Sequence, residues 1–274
     1  MKQFLKKWIL PPKITDMISA FTSTMYAKKQ EGYKSIINNE SIKDIHKGER
    51  CFILGNGPSI NDIPDYEKLS KEIVFSISSL YLYDKYKIMK PQYHLTTVMK
   101  NPMPTEVKKW LDKMGQSITA KKVFFHINQY EYIANSENFK KFDKYFISTA
   151  SIERTFDISK ITKGYRTNPL MALEVAMYMG FKEIYLIGIE HNSFVDKQYE
   201  YCFGRDVFKV DDENIKEGNT VARTMTELFI RHYETYSEFN DIAQYANSNG
   251  IKIINLSSIS RLDMFEKKNM EDVI

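Results

Sequence analysis

The segment 51–59, which reads CFILGNGPS, constrains the fold of this chain more than any other part of the sequence. It consists of an apolar run, 52–54, that breaks into a turn with two glycines. A short, uninterrupted apolar run is typical of a parallel strand buried on both faces. Gly55 and Gly57 allow positive φ angles and let another molecule approach the backbone closely. The segment therefore predicts a buried strand followed by a turn that a ligand can reach.

Two polar side chains, Asn56 and Ser59, stand at the carboxyl end of this predicted strand. In open α/β sheets ligands bind at that end, because the loops converge there at a topological switch point. The turn therefore predicts a nucleotide or sugar-nucleotide site, and a tight strand-to-helix turn without a ligand is the alternative. It is neither a Walker A loop, since no GK[ST] follows, nor a complete G-x-G-x-x-G.

The composition excludes several classes of function. The 39 Lys+Arg against 35 Asp+Glu leave a net charge of +4, too mild to favour nucleic acid as a partner. The two cysteines, Cys51 and Cys202, are typical of reduced thiols in a chain without a secretory signal. No apolar run approaches the roughly 18 residues of a transmembrane helix. These features predict a cytoplasmic protein.

The alternation of short apolar runs with helical patterns predicts an α/β fold, a Rossmann-like, mostly parallel sheet with helices on both faces. Residues 1–47 are predicted to form a helical amino-terminal arm, and residues 48–274 a nucleotide-sugar-binding domain with an aromatic-rich lid at about 191–218. Residues 1–10 combine apolar and lysine side chains, so peripheral membrane contact is one interpretation. Packing of this short helix on its own domain or on a partner is the favoured one, and homo-oligomerisation stays open.

Further strands and helices follow from the same patterns. Strands are predicted at 73–77, 93–98, 122–127, 183–189 and 251–256. Between 128 and 164 the pattern weakens, and short helical pieces are predicted around 138–144. A long helix is predicted over 219–249, ended by Gly250.

A second block of candidate residues surrounds the predicted helix 170–179. Thr167 and Asn168 form its N-cap and Pro169 suits its first position, while Asn101 and Glu190 each follow a predicted strand. The helix start and the strand ends are expected to border the same crevice as the turn. Glu190 there suits ribose hydroxyls, as acidic residues do in related folds, and a structural hydrogen bond is the equal alternative.

Three stretches, ILGNGPS, MGFKEIYLIGIE and GIKIINLS, resemble bacterial sialyltransferases that use a cytidine-monophosphate (CMP) donor to modify lipooligosaccharide or capsule. They also resemble a related group of motility accessory factors and hydroxymethylpterin pyrophosphokinase-like proteins. The first resemblance implies a GT-A-variant fold and an inverting, metal-independent glycosyltransferase. Its co-substrate would be a CMP sugar, without other cofactor or metal, and its acceptor a glycan or glycolipid.

The resemblance to sialyltransferases also implies residue roles. The turn residues Asn56, Gly57 and Ser59 would bind the donor's phosphate and ribose, and Asn101 the sugar or ribose. The pair 167–168 would bind the nucleotide or sugar at a helix start, where backbone N–H groups favour an anion.

Two further roles concern the leaving phosphate and the proton. The family places two tyrosines on the leaving phosphate. Tyr201 matches the second tyrosine, while Asn192 occupies the position of the first. His232 matches the family's base to within one residue; if it lies well inside a helix, His191 is the substitute. A histidine, whose pKa is near neutral, suits the task of taking the proton from the acceptor's hydroxyl group.

Two other functions stay open on the sequence. Diphosphate transfer from ATP to a pterin alcohol requires Mg²⁺ carboxylates near the turn, and the candidates are Asp62, Asp65, Glu190 and Asp211. A non-enzymatic scaffold in surface-polysaccharide or motility assembly is the other alternative. The acidic run 211–213 is interpreted as a solvated loop.

Overall fold

The computed structural model describes residues 12–97, 103–151, 153–192, 201–204 and 224–274. The predicted α/β fold is confirmed, because an eight-stranded sheet with only parallel strand pairs organises these residues. Its strands are β1 (Arg50–Leu54), β2 (Val74–Ile77), β3 (Tyr93–Thr96), β4 (Lys122–His126), β5 (Asp143–Ile147), β8 (Glu183–Ile187), β9 (Lys252–Asn255) and β10 (Glu266–Lys267). A separate parallel pair consists of β6 (Thr149–Ser151) and β7 (Thr162–Lys163).

Helices cover both faces of the sheet. The α-helices are α1 (Pro12–Lys29), α2 (Tyr66–Leu69), α3 (Tyr86–Met89), α4 (Thr105–Ser117), α5 (Tyr130–Asn135), α6 (Asn168–Tyr178) and α7 (Met225–Ser248). The 3₁₀ segments are Tyr33–Ile42, Pro58–Asp62, Leu80–Leu82, Ile127–Gln129, Glu137–Phe139 and Met270–Asp272. Among the described helices, none has the length and apolar character that crossing a membrane requires.

The strand order creates a switch point beside β1. The order is β10-β9-β8-β1-β2-β3-β4-β5, so the chain runs from β1 towards β5 and later returns to the other side of β1 with β8. The loops after β1 and β8 therefore leave the sheet in neighbouring positions on opposite sides of the reversal. Such a reversal opens a crevice at the carboxyl ends of the strands, where ligands of open α/β sheets bind.

The apolar runs form strands because both sheet faces are covered. In β1, Cys51 and Ile53 pack into the core on one face, whereas Phe52 and Leu54 pack into the core on the other. All four side chains are completely buried. Burying each large side chain contributes about 1.5–3 kcal/mol, which fixes the depth at which the following turn leaves the sheet.

Helix α6 lies at the centre of one face. Every residue from Pro169 to Tyr178 is buried, and the helix packs across β1, β2, β3 and α7. A helix that is apolar all round is stable only in such a position. It ends at Gly180, which has φ +92° and so takes the left-handed conformation of a helix C-terminus. Its other end points to the carboxyl edge of the sheet.

Helix α7 begins with a capping box. The Thr224 side chain accepts a hydrogen bond from the Glu227 N–H, and the Glu227 side chain accepts one from the Thr224 N–H. The helix packs on β9 and α6, and Gly250 follows it with φ +63°, as predicted. The start of the predicted helix, before residue 224, lies outside the described residues.

The structure corrects the prediction around 138–144. Only Glu137–Phe139 forms a helical turn, of the 3₁₀ type, and β5 begins at Asp143. This strand lies at the edge of the sheet, and its first three residues are exposed or half-buried. Edge exposure removes the continuous apolar run that reveals the inner strands.

The residues of the predicted arm pack closely on the domain. Instead of one helical pattern through residue 38, α1 ends at Lys29 and a 3₁₀ segment follows. That segment buries Ile36, Asn39 and Ile42. The Asn39 side chain donates hydrogen bonds to the carbonyl oxygens of Phe146 (2.9 Å) and Ile158 (2.7 Å). Most of the predicted lid, 193–200 and 205–223, lies outside the described residues, and so do residues 1–10.

Candidate functional site at the carboxyl edge of the sheet

A pocket of about 610 Å³ opens at the switch point between β1 and β8. Its walls come from the turns after β1, β2 and β8, from the start of α6, from Tyr201 and from the first turns of α7. The lining residues are Gly55, Asn56, Ile77, Ser78, Thr167, Asn168, Pro169, Gly188, Ile189, Glu190, His191, Tyr201, Leu228, Arg231, His232 and Thr235. Six of the predicted site residues thus meet in one pocket, together with the substitute base His191.

The turns after β1 and β8 are hydrogen-bonded to each other. The Gly55 N–H donates to the Ile187 carbonyl (2.8 Å), and the Gly57 N–H donates to the Gly188 carbonyl (2.9 Å). A Cβ atom on Gly55 would overlap the Gly188 carbonyl oxygen. Gly55 is therefore required for the two strand ends to approach closely.

Glu190 is the buried acid of this site. Its Oε1 accepts hydrogen bonds from the Ser59 hydroxyl (2.6 Å) and the Ser59 N–H (3.2 Å). The Ser59 hydroxyl also lies 2.6 Å from the Ser257 hydroxyl and accepts from the Gly188 N–H (3.0 Å). Burial raises the pKa of Glu190 above its ordinary value, and the hydrogen bonds from Ser59 oppose this shift only in part.

Gly57 and Ser59 support the pocket from behind, because neither lines it. Gly57 leaves the space that the Glu190 carboxylate occupies, since a Cβ on Gly57 would overlap Oε2. Ser59 holds the other carboxylate oxygen. Both residues thus contact Glu190 in this structure, and their contacts with a donor stay a prediction.

Three buried polar atoms of the pocket's lining residues have no hydrogen-bond partner in the described part of the chain. They are Asn56 Oδ1, Thr167 Oγ1 and Glu190 Oε2. An unsatisfied buried polar group costs about 1–3 kcal/mol, so native proteins retain few of them without a functional reason. These three atoms could accept or donate hydrogen bonds with a ligand in this pocket.

The start of α6 provides a second ligand-binding feature. Thr167 is the N-cap residue, but its side chain makes no capping hydrogen bond, in contrast to the predicted cap. The Asn168 Oδ1 accepts from the Thr97 N–H (2.7 Å) and hydroxyl (3.0 Å) and so holds the end of β3 against the helix. The start of this 11-residue helix lines the pocket through Thr167, Asn168 and Pro169, and no side-chain cap covers it. Pro169 has no N–H, but the other N–H groups of the first turn still favour an anion.

The two candidate bases, His191 and His232, line the same pocket. His191 follows β8 with φ +49° and packs edge-on against Phe239, with ring centroids 4.9 Å apart. Burial, with a smaller electrostatic contribution from His232, lowers the pKa of His191 to about 4. His232 is half-buried and is the eighth residue of α7. His232 therefore lies inside a helix. This is the case in which the sequence predicts His191 as the substitute base.

Tyr201 reaches the pocket through a short segment that is fixed to the glycine-rich turn. The Cys202 N–H donates to the Asn56 carbonyl oxygen (2.9 Å), and Tyr201 stacks on Phe203 with ring centroids 5.3 Å apart. Burial raises the pKa of Tyr201, so its hydroxyl stays protonated at neutral pH. Both Cys51 and Cys202 are free thiols, as predicted.

Sequence reasoning missed several lining residues, above all Ser78 and Arg231. Ser78 follows β2 with φ +55°, a left-handed conformation that is uncommon for residues other than glycine. His191 has the same uncommon conformation, so two strained residues that follow strands line one pocket. Such strained residues are frequent at functional sites. Arg231 was detectable, since Leu228, His232 and Thr235 share its helical spacing along the predicted helix.

The remaining candidates among the described residues do not line this pocket. Asn101 and Asp211 lie outside the described residues. Asp65 caps α2, because its Oδ1 accepts from the Lys68 N–H (2.9 Å). Asp62 lines a separate cavity of about 740 Å³ beside β9 and β10. In the described ranges no group of three or more His, Cys, Asp or Glu side chains is arranged to hold a metal ion.

Two histidines outside this pocket, His94 and His126, make structural contacts. His94 is fully buried on β3 with its Nδ1 2.8 Å from the Ser76 hydroxyl. His126 ends β4, where its Nδ1 accepts from the Asn128 N–H (3.1 Å) and its Nε2 lies 2.6 Å from the Thr149 hydroxyl.

Comparison with solved structures finds similar folds at low sequence identity. The MAf glycosyltransferase from Magnetospirillum magneticum AMB-1 has a TM-score of 0.52 and 12% identity, over 88% of this chain and 39% of that chain. The present chain thus spans well under half the length of that protein. The sialyltransferase CstII from Campylobacter jejuni in complex with CMP-3FNeuAc has a TM-score of 0.45 and 16% identity, over 81% and 87% of the two chains.

An alpha-2,3-sialyltransferase from Campylobacter jejuni in apo form has a TM-score of 0.44 and 16% identity, over 81% of each chain. No functionally curated protein matches the sequence. The sequence model of the 6-hydroxymethylpterin diphosphokinase MptE-like family matches residues 28–194, which include β1, its glycine-rich turn, α6 and β8. Because this match covers more than half of the chain, the protein belongs to the 6-hydroxymethylpterin diphosphokinase MptE-like family.

Proposed function

We propose that this protein is an inverting, metal-independent glycosyltransferase that transfers a sialic-acid-like sugar from a CMP donor to a cell-surface glycan. One observation carries the proposal. An uncapped helix start, three unpartnered buried polar atoms and two histidines line a single pocket at the switch point of the sheet. The acceptor would be lipopolysaccharide or capsule, reached from the cytoplasm at the inner face of the membrane.

The pocket suits the departing nucleotide. The phosphate of CMP would bind at the start of α6, where N–H groups and the helix dipole favour negative charge. The protonated Tyr201 hydroxyl would donate a hydrogen bond to the same group, which stabilises the charge that develops as the sugar leaves. Glu190 Oε2 is available to accept from ribose hydroxyls.

The histidines suit the proton transfer. As the acceptor oxygen bonds to the sugar carbon, the bond to the phosphate breaks and CMP leaves with its electrons, so a base must take the acceptor's hydroxyl proton. With its pKa lowered to about 4, His191 is a weak base at neutral pH. Although His232 lies within α7, it lines the same pocket. We therefore assign to His232 the role of the base that takes the acceptor's proton, and to His191 that of a neutral hydrogen-bonding neighbour.

Sugar transfer is also the activity named for the MAf glycosyltransferase, whose fold this chain shares. That likeness is one of fold, and it makes glycosyl transfer the first activity to test. The assignment of individual residues depends on the pocket itself.

Diphosphate transfer from ATP to a pterin alcohol is the second candidate, and the description of the family favours it. It would place Mg²⁺ near the turn after β1. The unpartnered Glu190 Oε2 is one available carboxylate oxygen, and Asp62 is near enough to raise the pKa of Glu190. Asp65 is already engaged as a helix cap. A non-enzymatic scaffold is the remaining alternative. The unpartnered polar atoms of the pocket disfavour it, because a scaffold without a ligand has no use for them.

Product analysis separates these candidates. The protein is incubated with CMP-N-acetylneuraminic acid and a lipooligosaccharide, with and without a chelator, and separately with ATP, Mg²⁺ and hydroxymethylpterin. The proposal expects CMP release in the chelator, reduced at least about 100-fold in His232→Gln, the range of a general base. If the only product is AMP, released with ATP and the pterin, the glycosyltransferase proposal is wrong and the second candidate replaces it. If neither incubation gives a product, the scaffold is favoured.

A further inference from the structure

Helix α1 presents its apolar side chains to solvent. Met17 and Phe21 are 65% and 67% exposed, and Ile14, Ile18 and Met25 are exposed as well. At 100° per residue these five positions fall within an arc about 100° wide, the width of the apolar stripe by which an ordinary surface helix packs on its core. We refer to these five residues as the α1 stripe.

The opposite side of α1 packs on the domain through small and polar residues. Ala27 is buried, and Ser23 and Gln30 are half-buried beside β6, where the Gln30 amide donates to Asn128 Oδ1 (2.6 Å). The orientation of the helix is therefore the reverse of the usual one. An exposed apolar stripe on a helix that is fixed in this way indicates a surface that covers it.

The charges of this part of the chain indicate what kind of surface covers the α1 stripe. Lys28 and Lys29 are exposed in the last turn of the helix. Over residues 1–29 the sequence has six lysines, at 2, 6, 7, 13, 28 and 29, and one acid, Asp16. A second copy of this chain would bring the same excess of positive charge to the contact, which is unfavourable. A negatively charged surface with an apolar layer beneath it matches both features.

We propose that α1 docks the protein on an anionic lipid surface, with the α1 stripe at the boundary of headgroups and acyl chains and with Lys28 and Lys29 on the lipid phosphates. The helix packs on β6, which follows β5 at the carboxyl edge of the sheet. The pocket opens at this same edge. The docking does not depend on the proposed reaction, but it would bring a lipid-linked acceptor to the edge that carries the pocket.

Vesicle sedimentation with the full chain tests the proposal. The probes are vesicles of phosphatidylcholine alone and of phosphatidylcholine with phosphatidylglycerol. We expect binding to the phosphatidylglycerol vesicles that weakens as salt rises, and a partition coefficient at least about tenfold lower for Met17→Ser with Phe21→Ser. The matched control is Ile45→Ser with Ile88→Ser, which changes two exposed isoleucines (44% and 39%) near the opposite edge and should bind like the parent.

The remaining outcomes overturn the proposal. They are a parent that binds neither vesicle, a stripe variant that partitions like the parent, or a control variant that loses binding equally. Sedimentation equilibrium of the same proteins tests the rival occupant, because a parent dimer that the stripe substitutions dissociate would assign the stripe to a second copy. Far-UV circular dichroism checks that both variants keep the helix content of the parent.

Discussion

Gly57 and Glu190 depend on each other sterically. The backbone of Gly57 has φ −74°, which any residue can adopt, so conformational freedom does not explain the glycine. The explanation is space, since any Cβ at position 57 would overlap the Glu190 carboxylate. The turn after β1 is thus shaped to admit a buried acid from the turn after β8.

Gly57→Ala is therefore expected to displace the Glu190 carboxylate. The free energy of unfolding should fall by about 1–3 kcal/mol, the range for an overpacked core, as measured by urea unfolding. Gly57→Ala combined with Glu190→Ala should recover stability, because the clash is removed, but should not recover ligand binding. If the single variant were as stable as the parent, the steric account of this glycine would be wrong.

The buried His191 predicts a specific pH dependence of stability. Its pKa in the folded protein is about 4, below the ordinary value of 6.5. Between these values the unfolded chain binds a proton at this position and the folded protein does not. The free energy of unfolding therefore falls as pH is lowered from 6.5 to 4, by up to about 3 kcal/mol from this group alone.

The His191→Asn variant isolates this effect, because asparagine tolerates the left-handed backbone at position 191. Urea unfolding of parent and variant is compared at pH 7.0, 5.5 and 4.5. The parent should lose more stability than the variant on acidification, while the difference between them stays constant above pH 7. Parallel pH dependences would show that His191 takes up a proton as readily in the folded protein as in the unfolded chain.

At the scale of elements, a buried ionic network connects α6, α7 and the loop before β7. The Arg154 side chain is 4% exposed and donates to Glu174 on α6 (2.6 Å) and to Glu238 on α7 (3.2 Å). Arg166, which precedes the α6 cap, contacts Glu238 (3.3 Å) and Glu234 (2.8 Å). The network thus connects the helix that carries His232 to the helix whose start faces the pocket.

Arg154→Ala should destabilise the protein by about 3–5 kcal/mol, because it leaves the buried Glu174 without its ionic partner and Glu238 with Arg166 alone. Burial already raises the pKa of both Glu174 and Glu238, so the loss should diminish as pH falls and these groups take up protons. Urea unfolding at two pH values measures both effects.

The control for Arg154→Ala is Lys109→Ala, which removes an exposed ion pair with Glu106 (3.0 Å). A change below about 1 kcal/mol is expected there. Equal effects of the two substitutions would mean that burial of the network contributes little to the position of α7.

The sequence predicted the inner strands well because they are buried on both faces and read as continuous apolar runs. It missed β5, where the exposed Asp143 and the half-buried Lys144 and Tyr145 of an edge strand interrupt that pattern. It identified Thr167 as an N-cap from its position, but the side chain makes no capping bond. That difference is informative, since an unsatisfied cap beside a pocket indicates a place for a ligand.

At the scale of the whole molecule, strand order is what the sequence could not provide. The local patterns predict that β1 and β8 exist, but their pairing joins residues more than 130 positions apart, such as Ile53 and Leu186. This pairing places Asn56 beside Glu190 and makes the switch point. The contact of Glu190 with Gly57 likewise depends on long-range packing, so the sequence predicted Glu190 as a site residue but not what holds it.

The central claim is that the pocket at this switch point binds CMP. Calorimetric titration of the full chain with CMP, in the absence of metal, tests it most directly, with Asn56→Ala as the site variant and the exposed Asn247→Ala as its matched control. Our account predicts binding at about micromolar affinity, weakened at least about tenfold in Asn56→Ala and unchanged in Asn247→Ala. Absence of CMP binding by the parent, or binding that Asn56→Ala leaves intact, would contradict it.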